Sequence, residues 1–241
     1  MDNNLVDIIK SIIAQINLEL KVLSIDVDII YLCNTLHLTI GKIVKDSDDN
    51  EYKVIELSIN EYVKVEPINH IIPFSGATLT APEITYLHGD PLSTNAEYKD
   101  KGQRTSSKTP FIWLVESYTY DDLPKDSITD AAYNVRLFFM DWANTPKWVN
   151  DEHNEYVIKP MENLQTQFKQ IIEDDSNYKR LENLTVSIRP RFGNVPDRPQ
   201  NLIIDEDLSG VEMNFKLEVY ESDLCCGVSE VVDVCSPAVE H

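Results

Sequence analysis

The chain has 241 residues, of which 42% are hydrophobic, enough to bury an ordinary core in one large domain or two small ones. Its 21 lysines and arginines stand against 41 aspartates and glutamates, so the formal net charge is 21 − 41 = −20. Because nucleic acid and anionic lipid would repel so acidic a chain, the composition argues against a groove-reading DNA-binding protein.

The N-terminal residues indicate neither a signal peptide nor a membrane span. Asp7, Lys10 and Ser11 interrupt the apolar run between Leu5 and Ile13, and no basic residue precedes it. We therefore expect a protein made inside the cell, with cysteines that are reduced and not disulfide-bonded. The four cysteines are Cys33, Cys225, Cys226 and Cys235.

A helix and a small β module are the first predicted elements. Apolar residues at helical spacing over 3–20 predict an N-terminal helix within residues 1–22. From 23 to 31 the pattern changes to period two, which predicts a half-buried strand. Its inward face would consist of Leu23, Ile25, Val27, Ile29 and Tyr31. Short apolar runs follow, one of them over 36–40, so residues 23–72 are expected to form a small antiparallel meander or barrel of about four strands.

Residues 82–221 predict a larger α+β core. The segments 110–120 and 131–142 are rich in β-branched and aromatic residues, as expected of long paired strands. Pro160 can occupy the first turn of a helix, and the alternating segments near 184–188 and 211–219 predict two further strands. The predicted fold class is therefore α+β, an antiparallel β-β-α-β-β sheet packed with helices. An acidic, Cys-containing tail at 222–241 follows this core.

Aromatic residues in and near the strand 131–142 could stack on sugars or bases, but a packing interpretation is simpler. They are Trp113, Phe138, Phe139, Trp142 and Trp148. The strand is apolar on both faces, so something must cover each of them. A helix would cover one face, and either the β module or a neighbouring subunit would cover the other. We favour the subunit, because large apolar surfaces usually mark interfaces.

The stretch 84–98, ITYLHGDPLSTNAEY, combines a histidine, an aspartate and several hydroxyl groups. Gly89 and Pro91 are turn residues, and Pro91 disfavours helical geometry at Asp90, so we interpret residues 88–91 as a turn. Ser93 and Thr94 lack the setting of an activated nucleophile. We expect no catalytic site here and no enzymatic activity; a hydrolase built on His88 and Asp90 is the least favoured interpretation.

Metal and nucleotide sites receive little support. The acidic segment 46–51 begins like a calcium loop, but Glu51 stands where that loop needs glycine and Leu57 where it needs a bidentate glutamate. We therefore predict a hairpin turn. The C-terminal cysteines contain no C-x-x-C pair, and the sequence contains no glycine-rich phosphate loop. We expect no cofactor and no metal.

Two oppositely charged segments suggest contacts between subunits. The basic segment supplies Lys99, Lys101, Arg104 and Lys108, and the acidic segment supplies Asp205, Glu206 and Asp207. Since the basic segment also holds a glycine and three hydroxyl residues, we expect its charges to lie on the surface. We predict a subunit interface in which the basic segment contacts either this acidic segment or the acidic cluster 173–175, with Trp142 and Trp148 as further contacts.

The order of motifs resembles a known family. A YLHGDP turn, a basic loop, the strand PFIWLVESYTY, the strand YNVRLFFMDW and the helix after Pro160 follow one another in the same order as in tail-completion or tail-terminator-like proteins of tailed phages that infect Bacteroidetes. The likeness covers about 84–221, and the 23–68 module is similar to the small β module that often precedes this region.

The resemblance implies a structural virion protein. Such a protein forms a closed ring of six or twelve copies at the head–tail connector, the neck or the tail end, including the ring proteins of crAss-like phages. It would contact portal, neck or tail proteins and let viral DNA pass without sequence-specific binding or membrane contact. It would reside in the virion, and in the host cytoplasm during assembly. The alternative is a non-enzymatic module that binds carbohydrate or protein.

Overall fold

The computed structural model describes residues 4–69, 74–100, 108–115, 119–122, 129–143, 150–179, 181–192 and 207–220. The fold is α+β, with many strands, few helices and mainly antiparallel sheets. One sheet closes into a barrel, and the other is an open sheet with helices packed on it. Among the described residues, no helix combines the length and apolarity needed to cross a membrane.

An amphipathic helix, α1 (Leu5–Ile13), begins the described chain. The side chain of Asn4 caps it by accepting a hydrogen bond from the Val6 N–H at 3.1 Å. The predicted helix is confirmed, but it is shorter than expected. It ends at Ile13, and from Glu19 the chain forms a strand whose Leu20 is buried in the barrel.

The predicted β module is a closed six-stranded barrel, with two strands more than expected. Its strands are β1 (Glu19–Asp26), β2 (Ile29–Leu32), β3 (Ile43–Lys45), β4 (Glu51–Ser58), β5 (Tyr62–Pro67) and β6 (Thr78–Thr80). They follow the order β1-β2-β5-β4-β3-β6, and pairing of β6 with β1 closes the barrel. Alternate residues of these strands fill the interior, among them Ile30, Val54 and Val63.

Two predictions for the barrel are wrong. Residues 23–31 are not one half-buried strand, because the chain reverses at Val27 and Asp28 and pairs Asp26 with Ile29. The end of this hairpin projects beyond the barrel interior, which leaves its outer apolar residues exposed. Residues 36–40 form no strand. They belong to a loop whose Leu36 and Leu38 pack into the barrel core.

The second sheet has six strands, five of them in the order β11-β12-β10-β8-β7. The sixth, β9, pairs with β10, as β8 does, but with a different part of that strand. The strands are β7 (Thr85–Gly89), β8 (Phe111–Val115), β9 (Thr119–Asp122), β10 (Thr129–Trp142), β11 (Glu182–Phe192) and β12 (Leu208–Tyr220). All pairs are antiparallel except β7–β8. The helices are α2 (Pro91–Asp100), α3 (Asn150–His153) and α4 (Lys159–Asp174), with a π-helical turn at Asn154–Ile158 between the last two.

Helices α1 and α4 cover one face of this sheet. Leu164, Phe168 and Ile172 of α4 pack with α1 and with the apolar residues of the central strands. These strand residues are Val135, Leu137 and Phe139 of β10 and Val211, Met213, Phe215, Leu217 and Val219 of β12. The predicted strand–helix–strand order around Pro160 is confirmed, because long periodic segments in this region each meet a matching apolar face.

The opposite face of β10 is covered by the chain itself. Trp113 stacks on Phe138 with ring centroids 5.3 Å apart, and Phe192 lies 4.7 Å from Phe138. Tyr98 of α2 closes the cluster against Phe111. Our preference for a neighbouring subunit as this cover is therefore wrong. These aromatic rings are buried, so they offer no stacking platform to a sugar or base.

The structure also contains two elements that the sequence patterns did not indicate, β7 and α2. Both lie in the stretch interpreted as a turn followed by a basic loop. Asp90 is the last residue before α2: its carboxylate accepts a hydrogen bond from the Ser93 N–H at 3.2 Å, and its carbonyl accepts one from the Thr94 N–H at 3.0 Å. Residues 88–91 are thus the end of a strand and the cap of a helix.

Candidate interaction surfaces

The outer edge of β11 is the longest open strand edge in the described part of the chain. β11 is the last strand of its sheet and, among the described strands, pairs only with β12. Val186 and Ile188 are 45% and 52% exposed, although they lie opposite the buried Met213 and Val211 and so share the helix-covered face. The helices extend over β12 but stop short of these two side chains. The result is an apolar sheet edge that no other described strand pairs with.

A cleft of about 810 Å³ lies at the other end of this sheet, between α1, the barrel and β7. Val6, Ile43 and Ile84 provide apolar lining, and Tyr86 extends across it to donate a hydrogen bond to the Val6 carbonyl at 3.2 Å. The charged lining consists of Asp7, Glu51, Glu83, Glu97, Lys10 and Lys45. Its formal charge with neutral histidine is therefore 2 − 4 = −2.

The β1–β2 hairpin exposes a second set of apolar side chains. Leu23 is 63% exposed and Val27 is 79% exposed at its tip. Asp26 and Asp28 flank the tip, and Asp28 forms an exposed ion pair with Lys64 at 3.4 Å. The surface is apolar at its centre and acidic at its rim.

A buried ion pair joins the barrel to the open sheet. The Lys42 ammonium group lies 2.7 Å from the Asp141 carboxylate and donates a further hydrogen bond to Thr109 at 2.5 Å. Asp141 also accepts hydrogen bonds from the Thr39 hydroxyl at 2.7 Å and from the Trp142 N–H at 2.6 Å. Burial lowers the pKa of Lys42, and the Asp141 carboxylate opposes that shift. This buried ion pair, which we call the barrel–sheet joint, fixes the position of the barrel at the end of β10.

His37 is buried beside this joint. Its Nε2 lies 3.2 Å from the Pro82 carbonyl, which can only accept, so Nε2 carries the proton. Its Nδ1 has no hydrogen-bond partner among the described residues. Burial lowers the pKa of His37 to about 4, with a contribution from the Lys42 charge, whereas the hydrogen bond to Pro82 and the Asp141 charge oppose the shift. The imidazole is neutral at pH 7.

On the sheet face opposite α4, two arginines share one buried carboxylate. Arg136 donates to Glu212 at 2.7 Å and Arg189 donates to it at 2.6 Å. Burial by itself would raise the pKa of Glu212, but hydrogen bonds from Arg136, Asn214 and Arg189 outweigh it and hold that pKa below its usual value. The group ties β10, β11 and β12 together and leaves one net positive charge.

Ser209 and His153 lie close enough to suggest a nucleophile and its base, but their hydrogen bonds argue otherwise. The Ser209 hydroxyl donates to the Pro190 carbonyl at 2.6 Å. With its one proton so engaged, the hydroxyl must accept from His153 Nε2, 2.8 Å away. A histidine that donates to the hydroxyl cannot remove its proton. Ser209 is also fully buried, so the pair is structural.

The basic segment is only partly within the described residues. Lys108 is just 6% exposed, and its ammonium group lies 4.8 Å from the centre of the Tyr98 ring. The expectation of a surface charge is therefore wrong for Lys108, because the end of α2 packs over it. Lys99 lies near the end of α2, whereas Lys101 and Arg104 fall outside the described residues.

The acidic segment and the tryptophans are similarly divided. Asp207 is half-buried, and its carbonyl accepts a hydrogen bond from the Ala143 N–H at 2.9 Å, next to Trp142. Trp142 is 37% exposed at the end of β10. Asp205, Glu206 and Trp148 fall outside the described residues, so the predicted contact between the basic and acidic segments stays a prediction.

The predicted turn at 46–51 is confirmed. Asp46 accepts hydrogen bonds at 2.9 Å from the N–H groups of Asp48 and Asn50, while Lys45 pairs with Glu51 across the hairpin. Within the described ranges, no three histidine, cysteine, aspartate or glutamate side chains converge as metal ligands would. The carboxylate oxygens of Asp46 accept hydrogen bonds within the turn and stabilise it.

Cys33 departs from expectation. It is disulfide-bonded, so the prediction of reduced cysteines is wrong for this residue. The other three cysteines lie outside the described residues.

Sequence reasoning missed both the cleft and the exposed face of β11. The alternation of Leu184, Val186 and Ile188 indicated the strand correctly, but it could not show that the helices end before they reach it. Comparisons of the chain with protein-family models, with curated proteins and with solved structures gave no match.

Proposed function

We propose that this protein is a non-enzymatic structural subunit of a tailed-phage virion. Copies of it close into a ring at the head–tail connector, the neck or the tail end, join portal or neck to tail, and surround the passing DNA. The observation that carries the proposal is the open edge of β11 with Val186 and Ile188 exposed on it.

A sheet edge of this kind favours self-association. Monomeric proteins usually shield long edge strands with charges, prolines or covering segments. Pro190 lies near the end of β11, but residues 184–189 before it contain no proline and only one charge, Arg189. Burying the apolar side chains of such an edge against a partner lowers the free energy, because it removes apolar surface from water.

The charge of the chain suits a DNA passage. At −20, the protein repels the phosphate backbone, so DNA would slide through such a ring without being held. The resemblance of residues 84–221 to tail-terminator-like proteins supports the same role.

Native mass spectrometry of the purified full-length chain tests the proposal. We expect closed assemblies of six or twelve copies, with the proportion of assembly rising with protein concentration. Negative-stain images of the same sample should show rings. A chain that stays monomeric at every concentration accessible to sedimentation analysis would contradict the proposal.

The cleft beside β7 favours a second candidate, a monomeric module that binds carbohydrate or protein. Its volume of about 810 Å³ is within the range of ligand pockets, and its lining offers both apolar and charged groups. This candidate predicts a stable monomer that binds a carbohydrate or another protein, and loses that binding when Ile84 or Tyr86 is replaced by alanine.

A further inference from the structure

We infer that the edge of β11 in one copy of the chain seats in the cleft beside β7 of the next copy. This inference rests on the proposed function and names the two surfaces through which the ring would close. Both surfaces belong to the same sheet, at opposite ends of its strand order.

Strand directions favour this head-to-tail arrangement. β12 is antiparallel to both β10 and β11, so β11 runs in the same direction as β10. β8 is antiparallel to β10 and β7 is parallel to β8, so β7 runs in the opposite direction. Rotation about a ring axis aligned with the strands preserves these directions. The β11 strand of one copy is then antiparallel to β7 of its neighbour, the more stable relation between strands.

The apolar groups also match. Val186 and Ile188 lie on the helix-covered face of β11, beyond the reach of the chain's own described helices. In the cleft, α1 contacts β7 on that same face, and Val6 lines the cleft together with Ile84 and Ile43. A neighbour's α1 would therefore cover the two side chains that the helices of their own chain leave exposed.

Charge distinguishes β11 from the hairpin tip as the group that enters the cleft. The cleft lining carries −2, and the residues of β11 sum to a formal charge of 2 − 1 = +1, in which Arg189 is paired with Glu212 and Glu182 with Lys179. The hairpin tip is flanked by Asp28, which pairs with Lys64, and by Asp26, whose charge the acidic cleft would repel. The strand is the better partner on electrostatic as well as geometric grounds.

Two variants of the full-length chain test the contact. The edge variant, Val186→Glu with Ile188→Glu, changes the charge of β11 to 2 − 3 = −1. The cleft variant, Asp7→Lys with Glu83→Arg, changes the charge of the lining to 4 − 2 = +2. Each should raise the dissociation constant of the assembly at least ~10-fold in sedimentation velocity, as central interface residues do. A chain with all four substitutions should associate more tightly than the edge variant or the cleft variant, because a negative β11 edge then faces a positive cleft.

Controls separate the interface from the fold and from other surfaces. Circular dichroism and thermal melting confirm that each variant is folded, and Val186→Thr with Ile188→Thr replaces the edge variant if that does not fold. Leu23→Glu with Val27→Glu places the same two charges on the β1–β2 hairpin and should leave association within ~3-fold of the original chain, as substitutions outside an interface do. Loss of assembly in this control alone would overturn the inference in favour of the hairpin.

Further outcomes distinguish this inference from the proposed function. If the original chain forms rings and the edge and cleft variants form them equally well, the interface is wrong and the ring proposal stands. If the cleft variant has no effect while Ser187→Cys gives a disulfide between the introduced thiols of two copies, β11 pairs with itself about a two-fold axis and the inference is overturned. A monomeric original chain would contradict both.

Discussion

At the scale of single residues, the most consequential group is the buried pair of Lys42 and Asp141. A buried ion pair contributes less to stability than its short distance suggests, because both charges lose their hydration. Replacing only one of the two residues is strongly destabilising, because the other charge then remains unpaired in the interior. The pair also has three hydrogen-bond partners in fixed positions, which favours one orientation of barrel and sheet.

We predict that Asp141→Asn lowers the free energy of unfolding by about 3–5 kcal/mol, because the Lys42 charge loses its counterion while still buried. Lys42→Met together with Asp141→Leu should cost less than Asp141→Asn alone. Urea denaturation at pH 7.5 measures both. The exposed pair Lys169–Glu173 supplies the control, in which Lys169→Met should cost under about 1 kcal/mol. Equal costs at the two sites would contradict the buried role.

His37 gives a pH-dependent prediction with a definite sign. In the unfolded chain it takes up a proton below pH ~6.5, whereas in the folded chain its pKa is about 4. Unfolding therefore binds a proton between these values, and the fold loses stability as pH falls through that window. The loss from His37 between pH 7.5 and pH 5 should be about 2 kcal/mol.

The variant His37→Gln isolates this contribution, because glutamine can still donate a hydrogen bond to the Pro82 carbonyl but does not titrate. Urea unfolding at the two pH values should show a smaller loss for this variant, by about 2 kcal/mol. His88→Gln changes an exposed histidine and should behave like the original chain. The same pH dependence in His37→Gln and in the original chain would show that other groups cause it.

At the scale of elements, the apolar face of helix α4 packs against the central strands of the open sheet. Phe168 is fully buried and lies at ring-centroid distances of 5.6 Å from Phe139 and 6.5 Å from Phe215, so it connects the helix to both central strands. Thr166, two residues away, is exposed and returns a hydrogen bond to the Glu162 carbonyl.

We predict that Phe168→Ala lowers the free energy of unfolding by about 3–5 kcal/mol, through lost burial and the cavity left behind. Thr166→Ala, on the other face of the same helix, should change it by less than about 0.5 kcal/mol. Chemical denaturation followed by tryptophan fluorescence measures both. A cost near zero for Phe168→Ala would mean that α4 does not pack on this sheet as described.

The elements that sequence reasoning missed have a common physical cause. α2 contains the apolar residues Leu92, Ala96 and Tyr98 but no continuous stripe, so periodicity could not indicate it. Its start depends on the cap at Asp90, whose turn residues suit a loop equally well. The hairpin at 27–28 has no glycine, and the left-handed backbone of Val27, with φ 58°, runs against the preference of a β-branched residue.

At the scale of the whole molecule, the net charge gives an expectation for DNA binding. Its 41 acidic side chains outnumber its 21 basic ones, so repulsion of the phosphates opposes any gain from counterion release. The shared site of Arg136 and Arg189 adds a local positive charge, but Glu212 offsets half of it.

We therefore predict no measurable binding of the full-length protein to a short labelled DNA duplex at ~50 mM salt, where electrostatic binding would be strongest. Fluorescence anisotropy, at concentrations on both sides of the assembly transition, provides the measurement. Saturable binding that weakens with added salt would contradict the prediction and place cationic residues on a DNA-facing surface.

The amino-acid sequence by itself determined the elements whose apolar period is long and regular, together with the acidic charge and the α+β class. α1, β10, α4 and β12 follow from local spacing, because a stripe or an alternating face specifies helix or strand wherever it lies. Only the tertiary structure decided which faces were covered. It buried His37, Lys42 and Lys108, enclosed Trp113 and Phe138 within the chain, and left Val186 and Ile188 exposed. Coverage depends on how far a helix extends over a sheet, which distant segments decide together and no local pattern records.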